Sequence, residues 1–183
     1  MKEQVYMPIE RTAVMPAYVA DVQNAYVQSL SGTYFGGQSR EMECCASKKA
    51  YVVLHNPCES GVNLFINRVL LANLSATPLR MNEHFCVRCV DGEICHCHCV
   101  ASCNMRSCER ERCNRCEYGP RACLLCGENL SVSGGCQTLT ATAQAYETYT
   151  EQTHGSIVLT PGCYFVVEVT ALEAATTGSC EVT

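Results

Sequence analysis

The stretch SGVNLFINRVLLANLSATP, Ser60 to Pro78, decides the fold. An apolar run of this length suits a buried helix or a long strand, and hydrophobicity alone does not separate the two. Val62, Leu64 and Ile66 are interspersed with Asn63 and Asn67, and Asn is a poor residue in helix interiors. The stretch therefore reads as strand between the breakers Gly61 and Pro78. Just upstream, KAYVVLHNP (49–57) is a run of β-branched and aromatic residues stopped by Asn56-Pro57.

Downstream the pattern repeats. CQTLTATAQAYETYTEQ (136–152) alternates Thr with Ala and Tyr, as a partly exposed strand or hairpin does. GSIVLTPGCYFVVEVTAL (155–172) gives two strands around Thr160-Pro161-Gly162-Cys163, where Pro-Gly favours a type II turn. Short strands punctuated by Gly and Pro predict an all-β protein, an antiparallel β-sandwich or jelly roll. Residues 31–79 and 137–183 form its body.

Residues 1–30 read as an N-terminal arm or connector. Val5, Met7 and Ile9 alternate with polar or turn residues, and Pro8 and Pro16 interrupt the run. That suits an edge or added strand. After Pro16, Val19, Val22, Tyr26 and Leu30 mark one face of a short helix.

Composition narrows the function classes. The chain of 183 residues is 48% hydrophobic and 17% charged, which is globular and not disordered. A net charge of −5 lacks the basic excess that nucleic-acid binding needs. No run of about 18 apolar residues exists, so no membrane span is expected. The opening MKEQVYMPIERTAVMP has neither the apolar core nor the cleavage site of a secretory leader. No nucleophile elbow, zinc-protease, P-loop or dinucleotide motif is present. No catalytic residue is assigned, and a non-enzymatic role is expected.

Cysteine is the outstanding feature. The chain holds 17, and eleven of them fall between Cys86 and Cys126. Such density means disulfides, metal, or both. Residues 80–136 have little aliphatic periodicity, so they read as a Cys-rich, loop-like insert ordered by cysteine chemistry. Within it, Cys86/Cys89, Cys113/Cys116 and Cys123/Cys126 are CxxC pairs, a spacing that turns two thiolates toward one ion. Cys95, Cys97 and Cys99 alternate with His96 and His98, a spacing suited to thiolates that bridge two metals. With Cys103 and Cys108 these residues form the candidate metal ligands. Zinc or copper(I) fits thiolate ligands. An iron–sulfur cluster is a further option, although the bacterial ferredoxin cysteine run is missing. The cysteines outside this window, Cys44, Cys45, Cys58, Cys136, Cys163 and Cys180, are candidates for disulfides or cross-links. An odd total leaves at least one thiol free, metal-bound or joined to another subunit. Cys180, near the C-terminus on a Gly- and Thr-rich segment, is the expected intermolecular link.

SGTYFGG (31–37), AYVVLHNPCESGVNLFINRVLLANLSATP (50–78) and LTPGCYFVVEV (159–169) together resemble an uncharacterised family of β-sandwich proteins from spore-forming bacteria. The resemblance covers Ser31 to Pro78 and Gly155 to Leu172, and implies a fold, not a site. That family has an ordinary loop where this chain has its Cys-rich stretch. In plan, the chain also resembles the jelly-roll subunits of bacterial endospore appendages, which join by an N-terminal connector and cysteines. These likenesses imply a homopolymeric filament subunit, extracellular or on the spore surface, reached without a classical leader. A metal-binding storage or electron-transfer module is the alternative.

Overall fold

A computed structural model describes residues 24–96, 99–104, 121–173 and 176–183. The expected arm strand at 1–15 and the residues Cys97, His98, Cys108, Cys113 and Cys116 lie outside them. The elements run α1 (Asn24–Leu30), β1 (Phe35–Gln38), β2 (Met42–Cys44), β3 (Ala50–His55), β4 (Leu64–Asn73), β5 (Leu79–Asp91) and β6 (Ile94–His96). They continue with β7 (Cys99–Ser102), β8 (Cys123–Glu128), β9 (Ser131–Ala143), β10 (Thr148–Leu159), β11 (Tyr164–Ala171) and β12 (Gly178–Val182).

Two antiparallel sheets carry the fold. One has the strand order β10-β4-β12-β2, the other β6-β8-β3-β11-β5-β9, and β1 pairs with β7 in a separate ribbon. The expected β-sandwich is the observed architecture. Connections β2–β3, β3–β4, β4–β5, β9–β10, β10–β11 and β11–β12 each carry the chain from one sheet to the other. Consecutive strands therefore face each other across the core, so each needs one apolar face.

Ser60–Pro78 yields the ten-residue β4, with Ile66, Val69 and Leu71 buried. Its register against β10 is direct on both sides of a bulge between Gln152 and Ile157. The inter-sheet core gathers Ile66, Val69, Leu71, Leu79, Met81, Phe165, Val167 and Val169 around Met42, Cys44 and Cys180. Strand β11 is buried on both faces. Its Val166 joins Tyr51, Val53, Val87, Leu125 and Leu130 in a second cluster on the far side of the larger sheet.

Two asparagines pin the corners. Asn56, fully buried, donates from Nδ2 to the carbonyls of Val62 (2.8 Å) and Leu159 (2.9 Å). Its backbone N–H also bonds Cys163 O, and its carbonyl accepts from Gly162 N. The turn it holds is closed by Cys163 N donating to Thr160 O, with Gly162 at φ 84°. That is the positive φ a type II turn requires at this position. Asn73 works alike at the opposite corner, donating to Thr77 O and Gln144 O at 2.8 Å each.

The boundaries of the expected insert are corrected. Far from being a loop, residues 80–136 contribute nearly all of β5, all of β6, β7 and β8, and the first part of β9. Four of the six strands of the larger sheet draw on this stretch. The reason is visible at β5. Leu79, Met81 and Val87 are buried, and a register shift between Glu83 and His84 breaks the alternation. That break, with interspersed Arg and Cys, hides the strand period.

Candidate functional site

The described cysteines fall into distinct neighbourhoods set by strand register. Cys44 on β2 and Cys180 on β12 are fully buried in the inter-sheet core. Their strands pair so that Cys44 is opposite Gly178 and Cys180 opposite Met42. Cys180, a candidate intermolecular link by its nearness to the C-terminus, is shielded from solvent at this position. Val182, two residues on, pairs with Leu71 and is itself buried. Neighbouring Cys45 turns outward, its Sγ 3.3 Å from Ser47 Oγ, and that contact lowers its pKa below the ordinary thiol range.

Cys58, Cys163 and Cys123 collect at the corner held by Asn56. Cys163 Sγ lies 3.2 Å from Thr160 Oγ1, and a Cβ on Gly162 would come within 3.1 Å of Cys58 Sγ. Cys123 sits opposite His55, whose ring stacks on Tyr164 at 4.3 Å. A third group lines the β5/β9 edge. Cys86 has φ 58°, Cys136 is opposite Phe85, and Cys89 is opposite Ser133. Cys89 donates to Asp91 Oδ2 at 3.1 Å, and that contact, with burial, raises its pKa.

Two of the CxxC pairs lie inside strands, which changes what the spacing means. Side chains alternate across a strand, so positions i and i+3 face opposite sides. Cys126 packs in the inter-sheet core, while Cys123 packs in the cluster on the other face of the same sheet. This pair does not close on one ion. Cys86 and Cys89 also lie on β5, but the positive φ of Cys86 and a register shift between Val87 and Cys89 interrupt the alternation there. Cys95 is directly opposite Cys126 and borders an open depression of about 270 Å³ with Arg40, Glu93, Glu128 and Asn129. His96, opposite Leu125 on β6, is exposed, and Cys103 is tied to β1 by its N–H to Tyr34 O. Cys99 opens β7, opposite Gln38. Among the described residues no three His, Cys, Asp or Glu side chains converge.

Two acidic centres escaped the sequence reading. Tyr51, Glu168, Asn82 and Thr140 form one row across β3, β11, β5 and β9. Glu168 accepts from Tyr51 OH at 3.0 Å, Asn82 Nδ2 at 3.1 Å and Lys49 Nζ at 3.0 Å. Asn82 Oδ1 in turn accepts from Thr140 Oγ1 and Gln137 Nε2. Burial pushes the Glu168 carboxyl up, but the bonds from Lys49 and Asn82 and the Lys49 charge outweigh it and hold it ionised. Burial and the nearby carboxylate push the Tyr51 hydroxyl up. A carboxylate with three donors is a structural acceptor, not a free base. The signal was the lone acid inside YFVVEVTA (164–171), an apolar strand buried on both faces.

The second centre lies between the sheets. Glu83 is 1% exposed, and both its oxygens, with Oε2 of Glu151, lack a well-aligned hydrogen-bond partner. Burial, with the Glu151 carboxyl close by, pushes Glu83 up to about 8. Burial and these two acids also raise the Tyr149 hydroxyl. Burial and Glu151 therefore favour the protonated form of Glu83 in the core.

Residues 9–118 match DUF6143, a family of unknown function. The chain belongs to that family. The DUF6143 match runs from the N-terminal arm through β7 and into the Cys-rich stretch, while β8 to β12, which complete both sheets, lie beyond it. No curated protein and no solved structure matches the chain.

Proposed function

We propose that this DUF6143 protein is the structural subunit of a self-assembling extracellular or spore-surface filament. Copies join by strand augmentation and are locked by cysteines. The observation that supports this most is the edge strand β9. Among the described residues it pairs only with β5, and it runs for 13 residues without one charged residue or proline. Soluble β-proteins usually blunt such edges with charges, prolines, bulges or short strands, and of these β9 has only the register shifts against β5. The other end of the same sheet is blunted in that way, since β6 has three residues. An open edge supplies main-chain donors and acceptors to an incoming strand. The alternating Val5, Met7 and Ile9 of a second copy are the chemistry that would fit. Contacts of this head-to-tail kind propagate into fibres instead of closing. The exposed thiols Cys58, Cys86, Cys95, Cys103 and Cys136 are available to link neighbours.

The Cys-rich stretch would add a metal–thiolate cluster to each subunit, drawing on the candidate ligands between Cys86 and Cys126. Native mass spectrometry reads this directly, as whole-number zinc or copper adducts released by acid.

The assembly reading is tested by electron microscopy and sedimentation of three purified chains: intact, lacking residues 1–15, and Thr142→Lys. Thr142 is exposed on β9. The intact chain polymerises, the truncated chain stays monomeric, and the lysine variant assembles poorly while remaining folded. Polymerisation of the truncated chain at the intact rate removes the arm from the scheme. Undiminished assembly of Thr142→Lys removes the edge.

A further inference from the structure

We propose that Cys44 and Cys180 are an intrachain disulfide site that ties the C-terminal strand to β2 when the protein folds under oxidising conditions. Four observations carry this. The thiols lie on adjacent antiparallel strands, diagonally across the ladder, because Cys44 is opposite Gly178 and Cys180 opposite Met42. Positions 42 and 44 on one strand, and 178, 180 and 182 on the other, are all buried, so both thiols point to the same face. Each is wholly shielded from solvent. The two thiols perturb each other, an interaction between them moving Cys44 down and Cys180 up from the ordinary thiol range.

Gly178 keeps the site open. A Cβ there would stand 3.6 Å from Cys44 Sγ and 2.4 Å from Leu79 Cδ2. Among the described residues no other cysteine lies on β2 or β12. Cys45 faces outward onto Ser47, and Cys126 belongs to the other sheet.

The chemistry is thiol–disulfide exchange with a low-molecular-weight disulfide as oxidant. The Cys44 thiolate attacks one sulfur of the oxidant, breaking its S–S bond and releasing one small thiolate. Cys180, deprotonated, then attacks the Cys44 sulfur of the mixed disulfide and expels the second. Two protein thiols are oxidised, one disulfide is reduced to two thiols, and the two protons leave with them. Because both sulfurs are sealed from water, the oxidant reaches them before β12 seats, so closure is coupled to folding. The assignment is independent of the filament reading and withdraws these two thiols from the pool available to neighbours.

The test refolds the full chain from urea in oxidised glutathione, or in reductant as control. Thiols are then trapped by alkylation in denaturant, and peptides are mapped by mass spectrometry without reduction. The expected product is a peptide pair joining Cys44 to Cys180, two hydrogens lighter than the separate peptides and absent from the control. Cys45→Ser, which removes the adjacent thiol, retains the link. Recovery of Cys180 alkylated from the oxidised sample overturns the proposal. So does finding it joined to any other cysteine, in the same or another copy. Mapping the unsubstituted chain needs no variant to fold. A second readout is oxidant timing: adding oxidised glutathione after refolding in reductant yields the link at least tenfold more slowly. An equal rate overturns the coupling to folding.

Discussion

The proton held on Glu83 makes stability depend on pH in a direction opposite to that of a salt-bridged acid. An unfolded Glu ionises near pH 4.3, whereas Glu83 in the fold ionises only near pH 8. Below about pH 4 both states carry the proton and the group contributes nothing. Between the two values the native state holds a proton that the unfolded chain has released, so stability falls as pH rises. The slope is about 1.4 kcal/mol per pH unit, reaching roughly 5 kcal/mol at pH 8 and levelling off beyond it. That is an upper figure, because a buried site relaxes when it ionises. Besides burial, the group bearing on Glu83 is Glu151, whose carboxyl disfavours a negative charge there. Glu83→Gln keeps the shape, supplies N–H donors to Glu151, and removes the titration. Urea denaturation in constant reductant from pH 5 to 9 is the assay. The variant gains on the unsubstituted chain progressively, by about 2–4 kcal/mol at pH 8.5, with little difference at pH 5. Two stability curves that run parallel across this range would refute the buried-proton argument.

Two further substitutions probe the corner and the outer face. Asn56→Ala removes the bonds to Val62 O and Leu159 O and leaves those carbonyls without this donor, so the midpoint of thermal unfolding falls by an amount equivalent to about 2–4 kcal/mol; a change below 1 kcal/mol would mean the corner is held by its backbone bonds alone. Glu168→Ala strips Lys49, Tyr51 and Asn82 of their common acceptor, costing about 1–3 kcal/mol at pH 7, since Lys49 stays partly solvated, and the Tyr51 ring hydroxyl then titrates lower, as ultraviolet pH titration reads directly.

The body of the fold was legible because its strands obey a simple period. β3, β4 and β11 each announce themselves through β-branched runs ended by Asn-Pro, Gly or Pro-Gly, and the corner asparagines fell at the stops. β5 and β9 were not legible to the same degree. Both carry register shifts, and a bulge moves every later side chain to the other face. A window counting strict alternation therefore averages the strand away. The acidic centres were hidden for a different reason. Glu83 comes from unremarkable local sequence and Glu168 shows only as a lone acid in an apolar strand; strand pairing brings Tyr51 and Asn82 to Glu168, and the packing of one sheet on the other brings Glu151 to Glu83.

The cysteines carry the sharpest lesson about spacing. A CxxC pair indicates a shared ligand only if the backbone between the thiols turns, since the ion needs both sulfurs on one side. In an extended strand the same spacing guarantees the contrary. Cys123 and Cys126 sit in different apolar clusters on the two faces of one sheet. Conversely, Cys44 and Cys180 are separated by most of the chain and have no spacing signature, yet register brings them side by side. Counting cysteines raises the expectation of disulfide or metal chemistry for the chain as a whole. The strand ladder decides which thiols can meet. That division places the interaction between thiols at β2 and β12, outside the window where cysteine is densest.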